Sequence, residues 1–271
     1  MIPAAMDYVR ADSAEAAVAA LAEHGEEAKL LAGGQSLIPL MRLRLATPAV
    51  LVDVGRASDL VGISVDSDTV SIGALTTHSA LEHSTDLATA CPLLAHVASV
   101  VGDPAVRHRG TLGGSLAHAD PASDLPAAVL ALGGTLVVTG PAGTREIAAT
   151  DFFTGFLESA LAADEVLTEV RVPVSTAGWA YQKFNRRAQD WAIVGAVGAE
   201  GGAGVALVNM GSTPLRASAV EAAVASGASA AEAAAGAADG TDPPTDTQAD
   251  AAYREHLARV LTARALEAAG A

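Results

Sequence analysis

The 271-residue sequence has a single cysteine, Cys91. One thiol cannot close an internal disulfide, complete a four-cysteine zinc site or hold an iron–sulfur cluster, so any such centre working with this chain must lie on another one. Aromatic residues make up 3% and charged residues 17%, against 51% hydrophobic, which leaves a sizeable core to be built mostly of Ala, Val and Leu. Of the 16 basic residues only Lys29 and Lys183 are lysines, and the formal net charge is −15. That balance argues against a nucleic-acid partner, because a phosphate backbone would be repelled. Long apolar runs are scarce as well. The longest, Leu125 to Val138, is interrupted by Gly133, Gly134 and Thr135 and falls short of the ~20 residues that span a bilayer. MIPAAMDYVRAD at the start has no basic stretch followed by an apolar one, so no signal peptide and no transmembrane segment are expected, and the protein is expected to be cytoplasmic. The seven histidines fall into no metal-ligand spacing, and no Ser-His-Asp order can be assembled. No metal ligands and no catalytic acid–base set are assigned.

What is present reads as about two domains. Asp12 and Glu15 have capping-box spacing and Gly25 stands where a helix should stop, which predicts a helix over 13–24. Strands are expected at Lys29 to Leu31 and Ala49 to Val54. A hairpin is expected around Asp66-Ser67-Asp68, and helices at Thr77 to Glu82 and Pro92 to Val101. A long loop, GDPAVRHRGTLGGSLAHADPASD, leads to a helix at Leu125 to Leu132 and a hairpin around Gly140-Pro141. Repeated strand–helix units are not evident. After Val172-Pro173 comes a linker, VSTAG. Three strands (Trp179 to Phe184, Trp191 to Val197, Ala203 to Val208) and an alanine-rich helical stretch follow. A last helix is expected to present Tyr253, Leu257, Val260, Leu261 and Ala268 on one face, with Glu255, Arg259 and Thr262 opposite, and to pack on its own domain. The expected division is a domain over 1–173 and a smaller one over 178–271.

Two segments carry the chemistry. LLAGGQSLIPL places Gly33 and Gly34 before Gln35 and Ser36 at the end of a strand. RGTLGGSLAHAD repeats the order, with Thr111 ahead of Gly113, Gly114 and Ser115. Glycine lets backbone N–H groups converge on a concavity with no Cβ in the way, and such nests bind phosphate oxygens. Two of them would clamp a pyrophosphate from both sides. The same glycines would also serve as ordinary turns. Neither segment fits a named nucleotide fingerprint: GxxxxGK[ST] does not occur, and GGAGVAL at 201–207 lacks the third glycine of GxGxxG. Lys29 and Lys183 both lie beside candidate site motifs.

Taken in order, AGGQSLIPLMRLRL, TLGGSLAHADPASDLP, EVLTEVRVP, QKFNRRAQDWAIV, GSTPLRASAVEAA and YREHLARVLTARAL resemble the FAD-binding subunits of molybdenum hydroxylases. The likeness is strongest to the medium subunits of aerobic carbon monoxide dehydrogenases and their relatives, over essentially the whole chain. The resemblance implies an α+β protein. Its parts would be an FAD-binding domain of the vanillyl-alcohol-oxidase type, in two α/β subdomains, and a smaller C-terminal domain with an antiparallel sheet and helices. By the same resemblance, Ala32, Gly33, Gly34, Gln35 and Ser36, together with Thr111, Leu112, Gly113, Gly114 and Ser115, cradle the FAD pyrophosphate. Asp124 holds the ribose or adenine side, Leu167 is an apolar neighbour of the cofactor, and Lys183 lies near the flavin ring, with Lys29 leading into the first loop. Arg186 and Arg187 match a basic pair that is structural or faces partners. Position 35 is Gln where carbon monoxide dehydrogenases often carry His.

The function implied is electron transfer, from a small iron–sulfur subunit through FAD on this chain to an external acceptor. The molybdenum cofactor would sit on a large subunit, the two iron–sulfur clusters on the small one, and the assembly would be a dimer of heterotrimers. Any contact with the inner face of a membrane would come through those partners. The alternative from another class is a stand-alone FAD oxidoreductase on the same fold.

Overall fold

The computed structural model describes residues 2–270. The chain begins with a strand–helix–strand–helix–strand unit: strand Asp7–Arg10, helix Ala14–His24, strand Ala28–Leu31, helix Leu37–Leu43 and strand Val50–Asp53. The three strands are parallel, with Val50–Asp53 in the middle, pairing Val50 with both Asp7 and Ala28. Repeated strand–helix units are thus present, contrary to expectation. Two elements of this unit, the first strand and the second helix, were not expected. DYVR is a largely exposed edge strand with no apolar run to announce it. Helix Leu37–Leu43 contains Pro39, but in the first turn, where a missing N–H costs no helical hydrogen bond. The first long helix starts one residue later than Asp12 suggested: Ser13 is its N-cap, accepting from the Ala16 N–H at 3.1 Å.

A five-stranded antiparallel sheet follows, in the order Ile63–Val65, Thr69–Gly73, Val166–Pro173, Thr135–Gly140, Gly143–Ala148. Both hairpins stand where their turn residues place them. Helices Pro92–Ser99 and Asp124–Ala131 pack beside it around Ile72, Leu94, Leu125, Leu136 and Val170, in a core of mostly aliphatic residues. A small two-stranded hairpin, Phe153–Gly155 with Glu158–Ser159, projects nearby. The expected long loop is partly helical, at Pro104–Arg107 and Leu112–His118. Its glycine pair hid the second helix from a propensity reading.

The remaining strands, Trp179–Phe184, Val194–Ala199, Ala206–Val208 and the short Leu215–Arg216, form a four-stranded antiparallel sheet. Strand Val194–Ala199 is buried on both faces. Val197 joins the core of the five-stranded sheet, and Val194 and Ala196 join a second core with Leu257, Ala258 and Leu261 of the last helix, following the alternation of side chains along a strand. That helix, Ala251–Ala269, packs on its own domain as expected, but on a rotated face. Arg254, Leu257, Ala258, Leu261, Thr262, Ala265 and Leu266 are buried while Tyr253 is exposed. Arg254 is not among the residues expected on the inner face. Arg254 sits there because its guanidinium donates to the Ile193 carbonyl and, at 2.7 Å, to Asp246. The segment Val174 to Gly178 is held as well: Val174 N–H donates to Asp68 O at 2.9 Å and Ser175 N–H to Ala90 O at 2.8 Å.

Candidate functional site

The parallel unit, the five-stranded sheet and the edge of the C-terminal sheet meet around a cavity of about 1040 Å³, roomy even beside the roughly 300–1,000 Å³ of ordinary small-molecule pockets. The two glycine segments face each other across one wall of it. Strand Ala28–Leu31 delivers the first segment. Gly34 adopts φ +73°, a left-handed conformation suited to glycine, and Ser36 opens the short helix that follows. A Cβ on Gly33 would lie 2.1 Å from the Arg109 carbonyl oxygen, so the segments touch backbone to backbone only because position 33 is glycine. Among the described residues, the N–H groups of Gly33, Gly34, Gln35 and Ser36 donate to no protein acceptor. Four consecutive unclaimed donors lining a cavity are what an anion-binding nest requires.

The second segment is built differently from expectation. Thr111 is the N-cap of helix Leu112–His118, its hydroxyl accepting from Gly114 N–H at 3.1 Å. Leu112 N–H donates to Thr76 O at 3.0 Å and Gly113 N–H to Ala74 O at 2.8 Å. These amides are therefore committed to the fold, and what this segment can offer a ligand is mainly the Thr111 and Ser115 hydroxyls. Gly113 permits the close packing, since a Cβ there would stand 2.5 Å from that of Ala74. Leu112 is fully buried in the core and does not line the cavity, because its side chain points into the helix packing. All the other expected site residues do line it, including Lys29, Ala32, Ser36, Ser115 and Leu167.

Also on the cavity wall, the two residues expected to serve different parts of a cofactor are bonded to each other. Lys183 Nζ lies 2.8 Å from Asp124 Oδ2 and 3.0 Å from the Val100 carbonyl. The Tyr181 hydroxyl, two residues earlier on the same strand face, donates to Asp124 Oδ1. Burial raises the Asp124 carboxyl above its usual range, and the Lys183 charge pulls against that shift. Burial and the neighbouring Asp124 charge push the Tyr181 phenol well up, so it stays a neutral donor. The C-terminal sheet is in this way latched to the start of helix Asp124–Ala131. Tyr181 had not been singled out; only its i, i+2 relation to Lys183 on a strand would have signalled it.

His78, Leu157, Glu158, Asp190 and Trp191 also line the cavity and were missed; Asp190 and Trp191 lie within the QKFNRRAQDWAIV motif, which could have signalled them, whereas His78, Leu157 and Glu158 belong to no motif. Glu165 is locked by a bidentate pair with Arg145 at 2.7 and 2.8 Å, which holds its carboxyl below the usual range. Arg186 and Arg187 are exposed. Among the described residues no group of three or more His, Cys, Asp or Glu is arranged to hold a metal ion, and no helix is long and apolar enough to cross a membrane.

Residues 4–175 match the family described as the FAD binding domain in molybdopterin dehydrogenase, and residues 179–269 match the CO dehydrogenase flavoprotein C-terminal domain. The carbon monoxide dehydrogenase medium chain of Afipia carboxidovorans is 40% identical over 100% of this chain and 99% of that protein. A solved structure of carbon monoxide dehydrogenase from Hydrogenophaga pseudoflava superposes with a TM-score of 0.93 at 40% identity, covering 99% of this chain and 98% of that one. Quinoline 2-oxidoreductase from Pseudomonas putida 86 superposes with a TM-score of 0.91 at 34% identity, covering 99% of this chain and 98% of that one. The nest of free amides and the fold around it agree with these likenesses, and the chain belongs to the FAD-binding medium subunits of the molybdenum hydroxylase family, of the carbon monoxide dehydrogenase type.

Proposed function

We propose that this chain places FAD in the cavity between the two glycine segments and relays electrons from an iron–sulfur partner subunit to an external acceptor. The observation that carries the placement is the row of unclaimed N–H groups from Gly33 to Ser36, pressed against the Arg109–Gly110 backbone. Those amides would receive the pyrophosphate oxygens, with the Ser36 and Ser115 hydroxyls as further donors. FAD supplies the capacity to exchange electrons singly or in pairs; the protein's share is binding, orientation and electrostatics. Leu167, nearly fully buried on strand Val166–Pro173, would give an apolar flank. Lys183 would present a cation whose charge is already balanced by Asp124, so that the pair acts as an oriented dipole. Asp124 would thus serve the cofactor chiefly by fixing Lys183, ahead of any ribose contact.

Cys91 is the sole thiol and is buried, which supports placing the iron–sulfur clusters on a small subunit and the molybdenum cofactor on a large one. A cytoplasmic dimer of heterotrimers is the assembly we infer from the family. The substrate-oxidising site would then lie on another chain, in line with relatives named for substrates as different as carbon monoxide and quinoline. The test is to strip the purified chain of flavin and titrate it with FAD and with FMN. Stoichiometric, tight binding of FAD and much weaker binding of FMN, which lacks the pyrophosphate bridge, is expected. Equal affinity for the two would remove the pyrophosphate assignment.

A further inference from the structure

We propose that His78 is a positioning residue for the cofactor: its Nε2–H holds the Thr111 carbonyl, and with it the second glycine segment, at the wall of the FAD cavity. This rests on the reading that the cavity holds FAD.

His78 opens helix His78–His83, whose N-cap is Thr77, and it is 5% exposed while lining the cavity. Its Nε2 lies 3.0 Å from the Thr111 carbonyl oxygen. A carbonyl only accepts, so Nε2 carries a proton. Burial lowers the ring's pKa to about 4, so it is neutral near neutral pH. A neutral imidazole has one N–H. With that proton on Nε2, Nδ1 keeps a bare lone pair, and among the described residues Nδ1 has no partner. The ring thus leaves one buried polar atom unsatisfied, which costs stability. An apolar side chain would fill the same space without that penalty. The imidazole is therefore best explained by what its other nitrogen does.

What that nitrogen holds is the junction of the site. Around it, His78 N–H donates to Gly110 O at 2.9 Å, and Thr77 and Thr111 form an isolated antiparallel bridge. Thr111 then caps the next helix through Gly114, and the preceding Arg109 carbonyl is the surface on which Gly33 rests. A shift of the Thr111 peptide would move the Thr111 hydroxyl and loosen the seat of the first segment together. His78 reaches both glycine segments through one carbonyl.

The test uses the full chain with two substitutions. His78→Gln places an amide N–H near the position of Nε2; His78→Leu keeps the bulk and removes the donor. Each deflavinated protein is titrated with FAD by fluorescence quenching, and its thermal midpoint is measured without FAD. The expected result is FAD affinity roughly three- to tenfold weaker in the Leu variant, the worth of one ordinary hydrogen bond. The Gln variant should stay near the unsubstituted chain, with FAD-free midpoints of the two variants alike. Should the Leu variant fail to fold, His78→Asn, whose shorter amide does not reach Thr111, takes its place. Equal FAD affinity in the donor-bearing and donor-free variants, whether strong or weak, overturns the proposal. Failure of the unsubstituted chain to bind FAD would instead overturn the functional reading beneath it.

Discussion

Replacing Lys183 with methionine keeps most of the side chain's apolar length and removes the ammonium 2.8 Å from Asp124 Oδ2. Asp124 is 4% exposed, so its charge is left deep in the protein with only the Tyr181 hydroxyl. Breaking one partner out of a buried pair costs about 3–5 kcal/mol, which in a chain of this size lowers the thermal midpoint by roughly 10 °C. The cost depends on pH in a definite direction. Burial already raises the Asp124 carboxyl, and Lys183 is the largest influence pulling it back. Without Lys183 the folded-state value climbs further from the unfolded value of about 3.9. The variant is then penalised most at high pH, where the unpaired carboxylate must stay charged or take up a proton, and least at low pH, where Asp124 is protonated in both proteins. Thermal midpoints of both FAD-free proteins at pH 8 and pH 5 check this, because titrations common to the two cancel in the difference. The gap should narrow at pH 5. A gap that is constant or wider there would refute an ionic Lys183–Asp124 latch.

Gly33→Ala forces a Cβ to 2.1 Å from the Arg109 carbonyl oxygen unless the loops part, so FAD affinity should fall at least about tenfold while the chain still folds; full flavin content at low micromolar FAD would count against the clamp. Gly114→Asp brings a Cβ within 2.7 Å of the Thr111 hydroxyl that caps its helix and adds a carboxylate beside the proposed phosphate site, so the purified variant should be colourless yet folded by circular dichroism. Arg254→Met removes the donors to the Ile193 carbonyl and Asp246, and should cost about 2–4 kcal/mol of stability with FAD affinity unchanged, because Arg254 does not line the cavity; a loss of affinity without a loss of stability would contradict that separation.

Much of this was legible in the sequence because local chemistry and global fold agree there. The hairpins at Asp66 to Asp68 and Gly140-Pro141, and the helix stop at Gly25, follow from turn and cap residues alone. The glycine segments were visible as a repeated small-polar order, and the ordered motifs tied them to FAD. What was hidden depends on tertiary partners. No sequence pattern says that the Gly113 amide is consumed by Ala74, so the second segment looked like a free nest when it is a capped helix. Asp124 and Lys183 lie 59 residues apart, and their pairing arises only when the C-terminal sheet closes on the cavity. Arg254 defeated the helical stripe because its partners, Ile193 and Asp246, come from other elements. The edge strand DYVR was invisible because an exposed edge needs no apolar run.

The most direct test is native mass spectrometry of the assembly purified through a tag on this chain, followed by gas-phase release of its subunits. The chain should emerge carrying one FAD, accompanied by one subunit with two iron–sulfur clusters and one with the molybdenum cofactor. A chain that emerges alone and without flavin, or alone and FAD-replete while oxidising a small organic substrate by itself, would contradict the account.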